Sequence, residues 1–239
     1  LGWNDPPFTK ASGGGYTPHY TPRAAYAAMI TRMDRYIGRV LKLLDELDLT
    51  QNTIVVFTSD NGVSHLKQEV DYDFFESVGN LRGLKGSLYE GGIRVPLLVK
   101  WPEKIKGGSV SGKLSGFEDW LVTFHELIEA KEPLSTVHDG HSLGLDLLGK
   151  SFPQRKFLYR EFSGYGGQQA VWMGKWKGVR QNLLRKKNES LKLELYNLSA
   201  DESESKDLAS KHPNIVSNIE KIMAQEHIPS PEFPIKRID

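Results

Sequence analysis

The stretch Thr53-Ile54-Val55-Val56-Phe57-Thr58-Ser59-Asp60-Asn61-Gly62 limits what this chain can fold into more than any other. Its first half is short, β-branched and apolar on both faces, so it has no side to give to water and reads as a buried parallel strand. Before it, Tyr26, Met29, Ile30, Met33, Ile37, Val40, Leu41, Leu44 and Leu47 recur at three- and four-residue steps, which predicts one apolar face of a crossover helix. Thr21-Pro22 supplies an N-cap and a first-turn proline, and Asp48–Asn52 ends the helix. A helix, then a strand, then a polar turn is the repeating unit of an α/β sheet. Such sheets place their chemistry at the C-terminal ends of strands, where Asp60-Asn61-Gly62 falls.

Further along, Leu97–Lys100 looks like another strand, and Phe117 to Ala130 has helical periodicity. From about Arg155 the pattern changes. Phe157–Phe162, Gln169–Met173, Trp176–Arg180 and Leu193–Tyr196 are short strands separated by turns such as Gly166-Gly167 and Gly174-Lys175, which predicts a small antiparallel sheet. Ile215, Ile219, Ile222 and Met223 predict a final helix. The expected organisation is a main α/β segment over 1–150 and a small α+β segment over 151–239.

Composition excludes several classes. With 31 Lys+Arg against 30 Asp+Glu in 239 residues, there is no electrostatic case for nucleic acid. No apolar run approaches the roughly 20 residues that span a bilayer, and no signal peptide is visible. The chain has no cysteine, which removes disulfides, thiolate-bound zinc and cysteine nucleophiles.

Three positions are candidates for chemistry. Asp60 and Asn61 offer a carboxylate and an amide carbonyl, both hard oxygen donors suited to Ca²⁺ or Mg²⁺; the plainer reading is an ordinary Asp-Asn-Gly turn. Lys85 sits among Gly83, Gly86, Gly91 and Gly92, which allow close backbone approach, and can act as a point charge on an oxyanion; the plainer reading is a solvated loop lysine. His65 lies four residues after Asn61 and reaches toward the same cleft as a ligand contact or proton donor, against a plain surface histidine. Glu90 and Arg94 read as a structural pair holding the glycine-rich turn, and His125 and His141 as structural. Trp3, Phe8 and Tyr16 are aromatics that would suit either a leaving-group pocket or core packing, and Asn188-Glu189-Ser190 fits a glycosylation sequon, a match frequent by chance.

Taken together, TIVVFTSDNG and LRGLKGSLYEGGIRVP, about 20 residues apart, resemble the sulfatases of the alkaline phosphatase superfamily. Tyr26–Asp34, Asp139-Gly140-His141-Ser142-Leu143 and Leu193–Leu198 extend the resemblance over nearly the whole chain. It implies part of a large mixed sheet flanked by helices, with the small C-terminal antiparallel sheet and helix beside it. It also implies that Asp60 and Asn61 are the second pair of ligands to Ca²⁺ (or Mg²⁺), that Lys85 holds the sulfate as a catalytic and substrate-binding residue, and that His65 faces the substrate. The family nucleophile is a formylglycine made within a C/S-x-P-S-R motif, which this sequence lacks, as it lacks an early Asp-Asp pair. Ser151-Phe152-Pro153-Gln154-Arg155 fits only loosely and comes too late in the chain.

The resemblance therefore implies the C-terminal portion of a periplasmic or secreted hydrolase of an aryl or carbohydrate sulfate, inactive alone, found with the N-terminal half of the enzyme or self-associated. Two alternatives stand beside it. A phosphate or phosphonate ester hydrolase of the same superfamily more often pairs the aspartate with histidine than with an asparagine such as Asn61. The other is a non-catalytic sulfatase-like module.

Overall fold

The computed structural model describes residues 17–65, 71–134, 137–151, 153–184 and 191–239. Trp3, Phe8, Tyr16, Phe152 and the Asn188 sequon lie outside them. Helix α1 (Pro22–Glu46) opens with Pro22 in its first turn. Thr21 stands at the cap, but its hydroxyl caps nothing and instead lies 3.3 Å from His19 Nδ1. After a short 3₁₀ turn at Thr50–Asn52 the chain enters β1 (Val55–Thr58). A one-turn helix α2 (Glu90–Ile93) precedes β2 (Leu97–Lys100), and α3 (Asp119–Leu127) and α4 (Gly144–Leu147) follow.

β1 corrects one expectation. Its partner is β2, antiparallel, with Val55 opposite Lys100 and Thr58 opposite Leu97, and all four of its residues are only half-buried. An apolar run states that both faces avoid water; it carries no information on the direction of the neighbouring strand. On one side β1 and α1 border an open apolar groove of about 590 Å³ lined by Met29, Met33, Ile37, Val40, Val55 and Phe57. No residue of α1 is buried, and Met29 is 66% exposed.

The second sheet follows the sequence reading closely. Strands β3 (Leu158–Phe162), β4 (Gln168–Met173), β5 (Trp176–Arg180) and β6 (Glu194–Asn197) pair antiparallel in chain order. Alternation sorts β4: Ala170 and Trp172 join Leu158, Val179 and Tyr196 in one cluster, while Val171 faces Leu193, Leu195, Ile219 and Met223 in the other. Helix α5 (Pro213–Glu226) covers the second face through Ile219 and Met223, each burying the equivalent of about 2 kcal/mol. The first face receives Leu88 and Tyr89, so residues on both sides of position 150 share one core cluster.

Two polar devices lock these parts together. Asp119, fully buried, accepts N–H bonds from Gly116 (2.8 Å) and His141 (2.8 Å) and pairs with Arg155 (2.8 Å), while the Thr123 hydroxyl accepts from Leu143 N–H (2.9 Å). This explains the Asp139–Leu143 motif as a clamp on α3. It also makes Arg155 structural. The second device is a buried triad. Lys177 Nζ lies 2.9 Å from Glu90 Oε1 and 2.7 Å from Glu204 Oε1, and Glu204 Oε2 accepts the Glu90 N–H at 2.7 Å. Trp172 Nε1 donates to Glu90 at 2.9 Å. Arg94, the expected partner of Glu90, is more distant at 3.8 Å.

Lys177→Met would leave two buried carboxylates without their cation. We expect a loss of about 3–5 kcal/mol, measured as the shift in the urea midpoint. Glu118 supplies a pH dependence. Burial works against its ionisation, but the hydrogen bond and charge of Arg160, joined by Arg155, prevail and hold its carboxyl below the ordinary 4.5. A carboxyl lowered on folding contributes stability above its unfolded value, and that contribution is lost as pH falls. Stability should therefore decline as pH drops below about 4.5, and Glu118→Gln should flatten that part of the pH–stability curve.

Candidate functional site

Asp60-Asn61-Gly62 turns out of the C-terminal end of β1. The Ser59 hydroxyl donates to the Asn61 carbonyl at 3.0 Å and Asn61 Nδ2 donates to the Gly62 carbonyl at 3.0 Å, which turns Oδ1 the other way. Asp60 is exposed and Asn61 half-buried.

The glycine-rich segment folds directly against this turn. Gly62 N–H donates to the Gly92 carbonyl at 2.8 Å, and Lys85 N–H donates to the Val63 carbonyl at 2.7 Å. The approach is close enough that a Cβ on Gly62 would stand 2.1 Å from the Gly91 oxygen and 2.8 Å from the Gly92 carbonyl carbon. Two motifs about twenty residues apart in sequence are thus joined backbone to backbone, and the Lys85 backbone falls beside the turn that carries Asp60-Asn61.

The small sheet supports the same loop from below. Buried Gln168 donates from Nε2 to the Gly86 carbonyl (2.7 Å) and accepts the Leu88 N–H on Oε1 (3.0 Å), bracketing the residues that follow Lys85. Tyr165, on the β3–β4 connection, lays its ring across Gly86, where a Cβ would come within 2.4 Å of Cε2. Exposed His65 meets that ring edge-on, at 5.6 Å and 81°. The fold therefore gathers Asp60, Asn61, Lys85 and His65 in one neighbourhood. His125 and His141 lie elsewhere: His125 Nε2 is 2.6 Å from the Glu132 carbonyl, and His141 binds the Asp119 clamp.

Gln168 and Tyr165 were not legible as site residues. Gly164-Tyr165-Gly166-Gly167, an aromatic enclosed by glycines, was the signal available, and it read only as a turn.

Asp60 and Asn61 offer two hard oxygen donors side by side. A Ca²⁺ shell takes six to eight. Among the described residues no group of three His, Cys, Asp or Glu side chains converges to hold a metal. By donor chemistry the pair fits part of a hard-cation shell.

The sulfatase family profile matches residues 2–130, and that of the N-sulphoglucosamine sulphohydrolase C-terminal region matches 84–228. An N-acetylgalactosamine-6-O-sulfatase of Bacteroides thetaiotaomicron is 30% identical over 208 residues, covering 82% of this chain and 40% of that protein. Mouse (Mus musculus) steryl-sulfatase is 37% identical over 144 residues, covering 59% of this chain and 23% of that protein. The solved structure of Ps i-CgsB in complex with k-i-k-neocarrahexaose superposes with a TM-score of 0.71 at 26% identity, over 85% of this chain and 43% of that one. The chain belongs to the sulfatase family, and its mixed α/β architecture is that of the alkaline-phosphatase-like sulfatases. It spans about 40% of the length of the first of these relatives.

Gly62→Ala would force backbone apart from backbone, with no flexible side chain to yield. We expect a loss of about 2 kcal/mol or more, read as a lowered thermal midpoint.

Proposed function

We propose that these residues form the C-terminal part of a divalent-metal-dependent sulfate-ester hydrolase acting on a carbohydrate or aryl sulfate. One observation carries the reading: the Gly62–Gly92 and Lys85–Val63 backbone bonds hold the oxygen-donor pair and the lysine in a single loop cluster. Asp60 and Asn61 would hold Ca²⁺ (or Mg²⁺), which when bound would polarise the sulfuryl oxygens and favour an ionised nucleophile. Lys85, on a glycine-flanked loop, places an ammonium on the sulfate and offsets charge that grows toward the transition state. His65 faces the alcohol side of the ester, where an imidazole can donate or accept a proton. The nucleophile is expected as a formylglycine in the part of the fold that precedes these residues.

Relatives support a sugar sulfate. The one matched over 82% of this chain is named for N-acetylgalactosamine 6-O-sulfate, and the structure matched over 85% holds a neocarrahexaose. A periplasmic or secreted location would suit such a substrate. Among the described residues no helix is long and apolar enough to cross a membrane.

We further propose that the groove between α1 and β1 is covered by the remaining part of the same fold. Tyr36, Val40 and Leu43 are 44–59% exposed along α1, and the relatives carry more than half their length outside the matched region. Expressed alone, residues 1–239 should be inactive and self-associate on size-exclusion chromatography; a well-folded monomer would contradict this cover.

The function is tested on the longer product carrying these residues. It should hydrolyse 4-nitrophenyl sulfate or a sulfated sugar far faster than 4-nitrophenyl phosphate, and lose activity to a chelator. Lys85→Ala and Asp60→Ala should each lower kcat/KM by about 10²–10³. Preference for the phosphate, or indifference to both substitutions, would overturn the reading.

A further inference from the structure

The β3–β4 connection carries an aromatic ring that is 60% exposed and stands on strained backbone. Tyr165 has φ +52°, a left-handed conformation uncommon for a side chain of its size, and Gly166 and Gly167 continue at +95° and +76°. Strain of this kind persists only where the surroundings fix it. Here they do: Gly167 N–H donates to the Gly164 carbonyl at 3.1 Å, Leu183 N–H to the Gly167 carbonyl at 3.0 Å and Leu184 N–H to the Gly166 carbonyl at 2.8 Å.

The ring is placed as tightly as its backbone. It rests on Gly86, the residue after Lys85, and Gly86 itself has φ +88° and is tied by Gln168. Phe162 backs it at 6.0 Å with planes 34° apart, and His65 abuts it at 81°. The exposed ring therefore stands between Gly86, the neighbour of Lys85, and the His65 imidazole.

We propose that Tyr165 is a specificity-determining residue: its ring forms the wall against which the pyranose of a sulfated sugar lies while the sulfate sits at Lys85. The apolar C–H face of a pyranose matches an aromatic surface, and the phenol at the rim can exchange hydrogen bonds with sugar hydroxyls. The inference rests on the reading of Lys85 as the anion-binding residue, so the two need separable tests.

Calorimetric titration of the longer product that carries these residues separates them, using inorganic sulfate and galactose bearing a 6-sulfonate, which has no ester bond to hydrolyse. Lys85→Ala should weaken both probes. Tyr165→Asn, a residue that tolerates left-handed backbone, should weaken the sulfonated sugar about five- to tenfold and inorganic sulfate less than about twofold. Tyr165→Phe should keep the sugar within about twofold, and an unchanged thermal midpoint in each variant shows that the loop has held. Equal loss of both probes, or no loss of the sugar, overturns the pyranose wall. If sulfate binding ignores Lys85→Ala, the anion-site reading falls and takes this inference with it.

Discussion

The contact between Gly62 and the Gly91-Gly92 backbone is the constraint on which the rest of the site depends. It brings the mouth of β1 against the α2 loop with no side chain between them. Each partner contributes a different chemical element, oxygen donors on one side and an ammonium on the other. Neither segment alone carries both. Their separation is fixed by peptide groups, which have far fewer ways to relax than long side chains do.

That contact is itself held from outside. Glu90 begins α2 and is gripped by Lys177 and Trp172 of the small sheet, while its N–H is held by Glu204. Arg82 lies 3.8 Å over the Tyr89 ring and donates to Tyr196 and to the Glu204 carbonyl. Burial and the Glu194 carboxylate push both tyrosine hydroxyls toward the protonated form, so each can donate to Glu194 at 2.5 Å. The four-stranded sheet thus serves as a bracket for a loop belonging to the other sheet. It also sends Tyr165 to the edge of that loop, where its ring lies against Gly86.

What the sequence disclosed follows from the range of each interaction. Trp176–Arg180 and the final helix were legible because period-two and period-3.6 patterns are local. The Asp60 turn and the Lys85 loop were visible as motifs of hard donors and glycines. The antiparallel pairing of β1 was not, since strand direction is settled by a partner forty residues away. Lys177 sits in an alternating strand where a lysine ordinarily points to solvent, and only its two carboxylate neighbours explain its burial. Tyr165 was hidden for the same reason: its partner Gly86 is nearly eighty residues distant.

The wiring of the two sheets has a consequence for the order in which they form. β3 to β6 join neighbours along the chain, so each loop to be closed is far shorter than the one between β1 and β2. β1 and β2 meet only after the whole Ser59–Pro96 excursion has been gathered in. Loop-closure entropy then makes the C-terminal sheet the earlier unit and the Asp60-Asn61 turn the later one. Amide exchange should accordingly be slowest in β4 and β5, and the Asp60 turn and the Lys85 loop should belong to the part of the molecule that opens first.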